Sequence, residues 1–189
     1  MAQPKSPGPG EGKAAPVVIP APPVLAEVES VHNSVTRVRE RLIDLLNDES
    51  ARRIDRQLAI NALGRFPSLL NISPLLKHLL FRADIITEAG PLASFPAAVQ
   101  LAAYGNDIYP TAWGAALREW SEDFAYVLAF TLYTADGKEV AIVRVQQRLA
   151  DPGGTLVQKA NFFRLLDFLT NTDIHDHRNW PRGANPKPK

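Results

Sequence analysis

Two apolar runs, residues 124–134 and 138–148, flank the pair Asp136-Gly137. Asp-Gly between such runs is the strongest short-range signal for a two-residue β-turn, and no other feature of the chain restricts its fold as much. Pairing across that turn sets Phe130 opposite Val143, Leu128 opposite Val145 and Leu132 opposite Ala141, which makes one face apolar. Thr131, Tyr133, Arg144 and Gln146 fall on the other face beside Val127 and Ile142. Such a hairpin buries one side fully and the other partly. Two strands alone are marginal, so helices or further strands must cover them. The expected fold class is therefore α+β: a helical N-terminal part, an antiparallel sheet containing this hairpin, and a C-terminal helix.

The helical lead has its own signature. Val28, Val31, Val35, Val38, Leu42 and Leu45 alternate spacings of three and four, the a/d stripe of a helix seam. Glu27, Glu29, Arg37, Arg39, Glu40 and Arg41 cover the other faces. A helix over residues 26–47 would span ~33 Å at 1.5 Å per residue. Asp48 or Ser50 then caps a second helix with Ile54, Leu58 and Ala62 on one face, closed by Gly64. Ser73-Pro74 opens a third, carrying Leu75, Leu76, Leu79 and Leu80 towards Ile86, and Gly90-Pro91 breaks it. Short helices are expected near residues 96–104 and 111–120, and a last one over 156–171 with Phe162, Leu165, Leu166 and Leu169 inward.

Residues 1–24 hold seven prolines together with Gly8, Gly10 and Gly12. That composition denies the segment a helix and gives it little to bury. The expected organisation is a disordered proline-rich tail at 1–24, one domain at 25–180 and a second short tail at 181–189. Pro20 to Pro23 forms a minimal P-x-x-P that could serve as a polyproline ligand, or a plain linker.

Composition removes several classes of function. With no cysteine among the 189 residues, a disulfide framework, a thiolate zinc site, an iron–sulfur cluster and a cysteine nucleophile are all excluded. A formal net charge of +1 advertises neither nucleic acid nor an anionic membrane as partner. Residues 17–25 are apolar, but Pro20, Pro22 and Pro23 interrupt them, which argues against a secretory leader. No window approaches the ~18 consecutive apolar residues of a membrane helix. The expected location is the cytoplasm, with no membrane insertion.

The candidates for chemistry each have a plainer reading. Asp173-Ile174-His175-Asp176-His177 is the one cluster of metal-ligand types, yet it lies past the last helix with no partner ligand signalled elsewhere, and a polar cap explains it. His78 sits in an apolar helix as a partly buried histidine. Gly153-Gly154 before a helix could receive an anion or simply turn the chain. Arg37, Arg41, Arg52, Arg53 and Arg56 could meet phosphates, but interleaved acids make them a solvated face. Tyr104, Tyr109, Trp113 and Trp120 could anchor a partner or belong to the core. There is no serine elbow, no phosphate-binding loop and no dinucleotide fingerprint. The expectation is no catalytic residue, no cofactor and no metal.

A helical lead, the hairpin at 124–148 and the helix containing NFFRLLDFLTN (residues 161–171) together resemble the small Icm-type adaptor chaperones of type IVB secretion systems. The likeness covers residues 85–171. It implies a bacterial, non-enzymatic protein that presents secretion substrates and pairs with other proteins. The chain is longer than those adaptors, and its pI near 8.0 departs from their acidic character. The functional expectation is a protein-binding adaptor or assembly protein, with Val28, Val31 and Val35 as partner-binding residues and another protein or a second copy as the partner. A structural part of a phage or secretion assembly, or an enzyme with a dispersed site around His175 and His177, are the alternatives.

Overall fold

Ser121, Glu122 and Asp123 begin a helix where a strand was expected. The Ser121 side chain accepts a hydrogen bond from the Phe124 amide at 3.2 Å, and the two acids sit in the first turn, where the helix dipole favours negative charge. The computed structural model describes residues 23–86, 90–173 and 175–181. Among them are eight α-helices, three 3₁₀ turns and no strand. The fold is all-α, and the α+β expectation is overturned.

The helices are α1 (Pro23–Asn47), α2 (Arg53–Arg65), α3 (Ile72–Lys77), α4 (Pro96–Ala102), α5 (Ile108–Ala115), α6 (Glu122–Asp136), α7 (Lys138–Leu149) and α8 (Leu156–Asn171). The chain divides between Thr36 and Arg37 into two units. In the first, the described residues are the opening turns of α1. The second holds the rest of α1 and the helices α2–α8. The expected tails fall mostly on residues 1–22 and 182–189, which lie outside the described residues; Pro181 is described and is buried.

The supposed hairpin is a pair of helices, α6 and α7, with Gly137 between them. Gly137 has φ +80 and ψ 164, a conformation nearly closed to other residues, and its amide closes α6 on the Tyr133 carbonyl at 2.8 Å. Asp-Gly thus ends one helix and starts the next. The apolar run at 125–132 is unbroken because α6 is buried nearly all round, with Ala125, Val127, Leu128, Ala129, Phe130, Thr131 and Leu132 all inside. A short continuous apolar run does not distinguish a buried strand from a buried helix. The β-branched Thr131 and Thr134 are accommodated because their hydroxyls donate to the Val127 and Phe130 carbonyls, each at 2.8 Å. On α7, Ala141 and Val145 are buried while Val140 and Val143 are exposed. That is a spacing of four, not two.

Around α6 the second unit packs α4 and α8, with α7 laid against α8 and α2 against α4. Four buried amide side chains fasten the loops. Gln57 accepts from the Asp84 amide at 2.7 Å and donates to the Ile85 carbonyl at 2.6 Å. Asn71 donates to the Leu63 and Phe66 carbonyls at the end of α2. Gln158 completes a capping box with Thr155 and donates to the Trp113 carbonyl at 2.9 Å. Asn161 donates to the Ala116 and Arg118 carbonyls at 3.0 and 2.8 Å and accepts from the Trp120 amide at 3.1 Å. Buried backbone groups outside regular helices need such partners.

Two smaller expectations change as well. The inward face of α2 is Gln57, Ala59, Ile60 and Leu63, and Leu58 is exposed. The third helix ends at Lys77 and starts ahead of Ser73.

Candidate functional site

In α1 the valines stand out in water. Val28 is 61% exposed, Val31 63%, Val35 39% and Val38 47%. Branched side chains lose rotamer freedom in a helix, so these positions gain little from local propensity. Leu42 and Leu45, later in the helix, are partly buried against the core and Leu46 is fully buried. The stripe that looked continuous in sequence therefore has two fates. An acidic residue at Val35 or Val38 would meet solvent there, so neither substitution is expected to unfold the domain.

Of the residues in and after the histidine run, His175 and Asn179 lie against α6. Asp173 Oδ1 accepts from the His175 amide at 3.0 Å, His175 Nε2 lies 3.2 Å from the Tyr133 hydroxyl, and Asp176 pairs with Arg178 at 2.6 Å. The Tyr126 hydroxyl donates to the Asn179 carbonyl, and Trp180 packs on the core. Among the described residues no three histidine or acidic side chains come together as metal ligands would. The side chain of His177 lies outside the described residues.

His78 follows α3 and its Nε2 is 3.1 Å from Asn47 Oδ1, which also accepts from Lys77 Nζ at 2.7 Å. Burial, with Arg56 and Lys77 nearby, pushes its imidazole down to about 4. Asn47 Oδ1 can only accept, so the neutral ring donates its Nε2–H there, and desolvation with positive neighbours keeps His78 in that structural role.

The arginines are dispersed. Arg52 pairs with Asp55 at 2.8 Å, Arg53 with Asp84 at 3.0 Å, and Arg56 donates to the Leu46 carbonyl at 3.0 Å. Arg53 and Arg56 both lie over the Phe81 ring. Arg37 and Arg41 are exposed. Of the aromatics, Tyr109 and Trp120 are buried, and Tyr104 and Trp113 pack partly buried against the same core. Gly154 is explained by contact: a Cβ there would lie 2.6 Å from the Trp113 ring.

One cluster was not legible in advance. Asp136 Oδ2 lies 3.2 Å from Arg144 Nε, with Asp136 only 11% exposed, and Arg144 sits over the Tyr109 ring at 5.7 Å while donating to Asn106. Asp136 and Arg144 attract as an ion pair although no N–H is aligned between Nε and Oδ2, and the Tyr109 hydroxyl lies beside the same carboxylate. Burial, reinforced by Asp136, holds the Tyr109 hydroxyl well above its ordinary range. No spacing in the sequence joins 106, 109, 136 and 144; only the α6–α7 corner does.

The second unit is an all-α bundle built around one buried helix, α6. No protein-family model, no curated protein and no solved structure matches the chain. No helix among the described residues is long and apolar enough to cross a membrane.

Proposed function

We propose that this protein is a non-enzymatic adaptor or assembly protein whose contact surface is the stripe Val28, Val31 and Val35. The observation that carries the reading is the exposure of three valines at helical spacing on one helix. Their a/d spacing fits the apolar stripe of a partner protein's helix, knobs into holes. The wider α+β likeness to Icm-type adaptors contributes nothing to this, since its hairpin is helical; a secretion-associated setting would rest on the identity of the partner.

The test compares wild type, Val28→Asp and Val31→Asp in pull-downs from the native host, with Val143→Asp, another exposed valine on a different helix, as control. The expected result is a stoichiometric partner held by wild type and by Val143→Asp, lost from both stripe variants, and rebound by purified wild type through an isolated helix of that partner. Self-association seen by sedimentation and abolished by Val31→Asp would put a second copy in the partner's place. Binding and sedimentation unchanged in both stripe variants would end the proposal.

A further inference from the structure

Four buried side-chain polar atoms lack a hydrogen-bond partner among the described residues, and three of them lie together: the Tyr109 hydroxyl, Asp136 Oδ2 and Arg144 Nε. Arg144 Nε and Asp136 Oδ2 face each other at 3.2 Å as an ion pair beside the Tyr109 ring, so these groups hold one another and fix Arg144 in place. Tyr109 and Arg144 are also walls of a cavity of about 150 Å³, completed by Asn106, Gln147, Arg148 and Asp151.

The lining is rich in donors. Arg144 is positioned by Asp136 on one side and by the Tyr109 ring on the other. Asn106 gives its Oδ1 to Arg144, which leaves its amide nitrogen as a donor. Gln147 offers a second amide at the exposed rim. Arg148 forms no ion pair among the described residues. Asp151 supplies a carboxylate on the cavity wall, in addition to Asp136, which is engaged with Arg144; the Asp151 Oδ1 accepts from the Gly153 amide at 2.9 Å, and no ion pair joins it to Arg148.

A cation and an anion left unpaired on one small cavity fit a ligand that accepts from the first and donates to the second. A tetrahedral oxyanion that keeps a proton does both. Its bare oxygens accept from Arg148, Arg144, Asn106 and Gln147, the geometry guanidinium groups recognise best, and its hydroxyl donates to Asp151. We propose that this cavity binds a phosphate group that carries a proton, as inorganic phosphate or as the monoanion of a phosphomonoester, the form held below its second pKa of about 6. Sulfate has the same shape but no proton at neutral pH, so it would set an unpaired oxygen against the Asp151 carboxylate.

Isothermal titration of the full chain with inorganic phosphate, at fixed ionic strength, tests the site. One saturable site is expected, with sulfate at least about tenfold weaker. Arg148→Gln is expected to abolish binding, and Asp151→Asn to bring phosphate and sulfate to within about threefold of each other. Circular dichroism checks that each variant is folded, and Gln147→Ala, a rim change with no packing role, is expected to weaken binding without touching the fold. Glycerol phosphate separates the sources: tighter binding than the free ion assigns a phosphorylated ligand, weaker binding assigns inorganic phosphate. Absence of saturable phosphate binding, equal affinity for sulfate in the wild type, or full affinity in Arg148→Gln overturns the proposal.

Discussion

The opening turns of α1 and the whole of α6 are both apolar helical segments, and they end in opposite environments. In α1 the regular three–four spacing leaves Val28, Val31 and Val35 exposed; in α6 an irregular, unbroken run puts seven residues inside. Periodicity reports which face is apolar and says nothing about whether that face is covered. Unbroken apolarity reports that a segment is covered and says nothing about whether it is helix or strand. A chain has to be read for both properties separately.

The largest effect that would sharpen this contrast is in α6. Leu128→Ala is expected to cost about 2–5 kcal/mol in urea unfolding, the range for a truncated core leucine. Val31→Ala is expected to fall within about ±0.5 kcal/mol, as for ordinary surface changes. A loss at Val31 comparable with that at Leu128 would mean the stripe is covered, and the contrast would collapse.

Next comes the corner that makes α6 a helix at all. Gly137→Ala forces a side chain into φ +80 and ψ 164 and is expected to cost about 1–3 kcal/mol. A β-turn of the expected hairpin type would also want glycine there, so circular dichroism has to accompany the measurement: helical content that stays high while stability drops identifies the helix–helix corner.

A smaller, pH-dependent effect belongs to His78. Its folded pKa of about 4 lies below the ~6.5 of an unfolded histidine, so the unfolded chain takes up the proton first. The stability from this group is complete above about 6.5 and is lost as the pH falls to about 4. His78→Gln is expected to flatten that part of the stability–pH curve. An unchanged slope would assign the acid response to other groups. The smallest effect of all is expected for Val28→Asp, whose urea midpoint should match wild type even as partner binding is lost.

Much of the helical content was legible. The last helix matches residues 156–171 as read, and the short helix opening at Pro96 and the long first helix are present. What failed has a common cause. At Asp136-Gly137 a glycine with positive φ serves a hairpin turn and a helix junction equally well, and the deciding signals, the Ser121 cap and the acids after it, lie at the far end of α6. Hydrophobicity alone puts Leu58 on the inward face of α2 and gives no sign of Gln57, which is buried since the 84–85 loop needs its amide. The stripe at Val28, Val31 and Val35 was visible as a pattern, while its exposure was not. The Asn106, Tyr109, Arg144 and Arg148 pocket could not be seen because a hairpin would have sent Arg144 and Tyr133 to one face and left Tyr109 elsewhere.

Asn161 carries a consequence for the substitutions this chain can tolerate. Its side chain offers two hydrogens and one lone-pair site to three backbone groups between Ala116 and Trp120. Aspartate has the same outline and would turn two attractions into repulsions; leucine has comparable bulk and would abandon all three groups. In a helix whose neighbours at 162, 165 and 169 can trade one hydrocarbon for another, position 161 has an alphabet of one letter. A polar residue in the middle of a buried face is thus the most specific word in that part of the sequence.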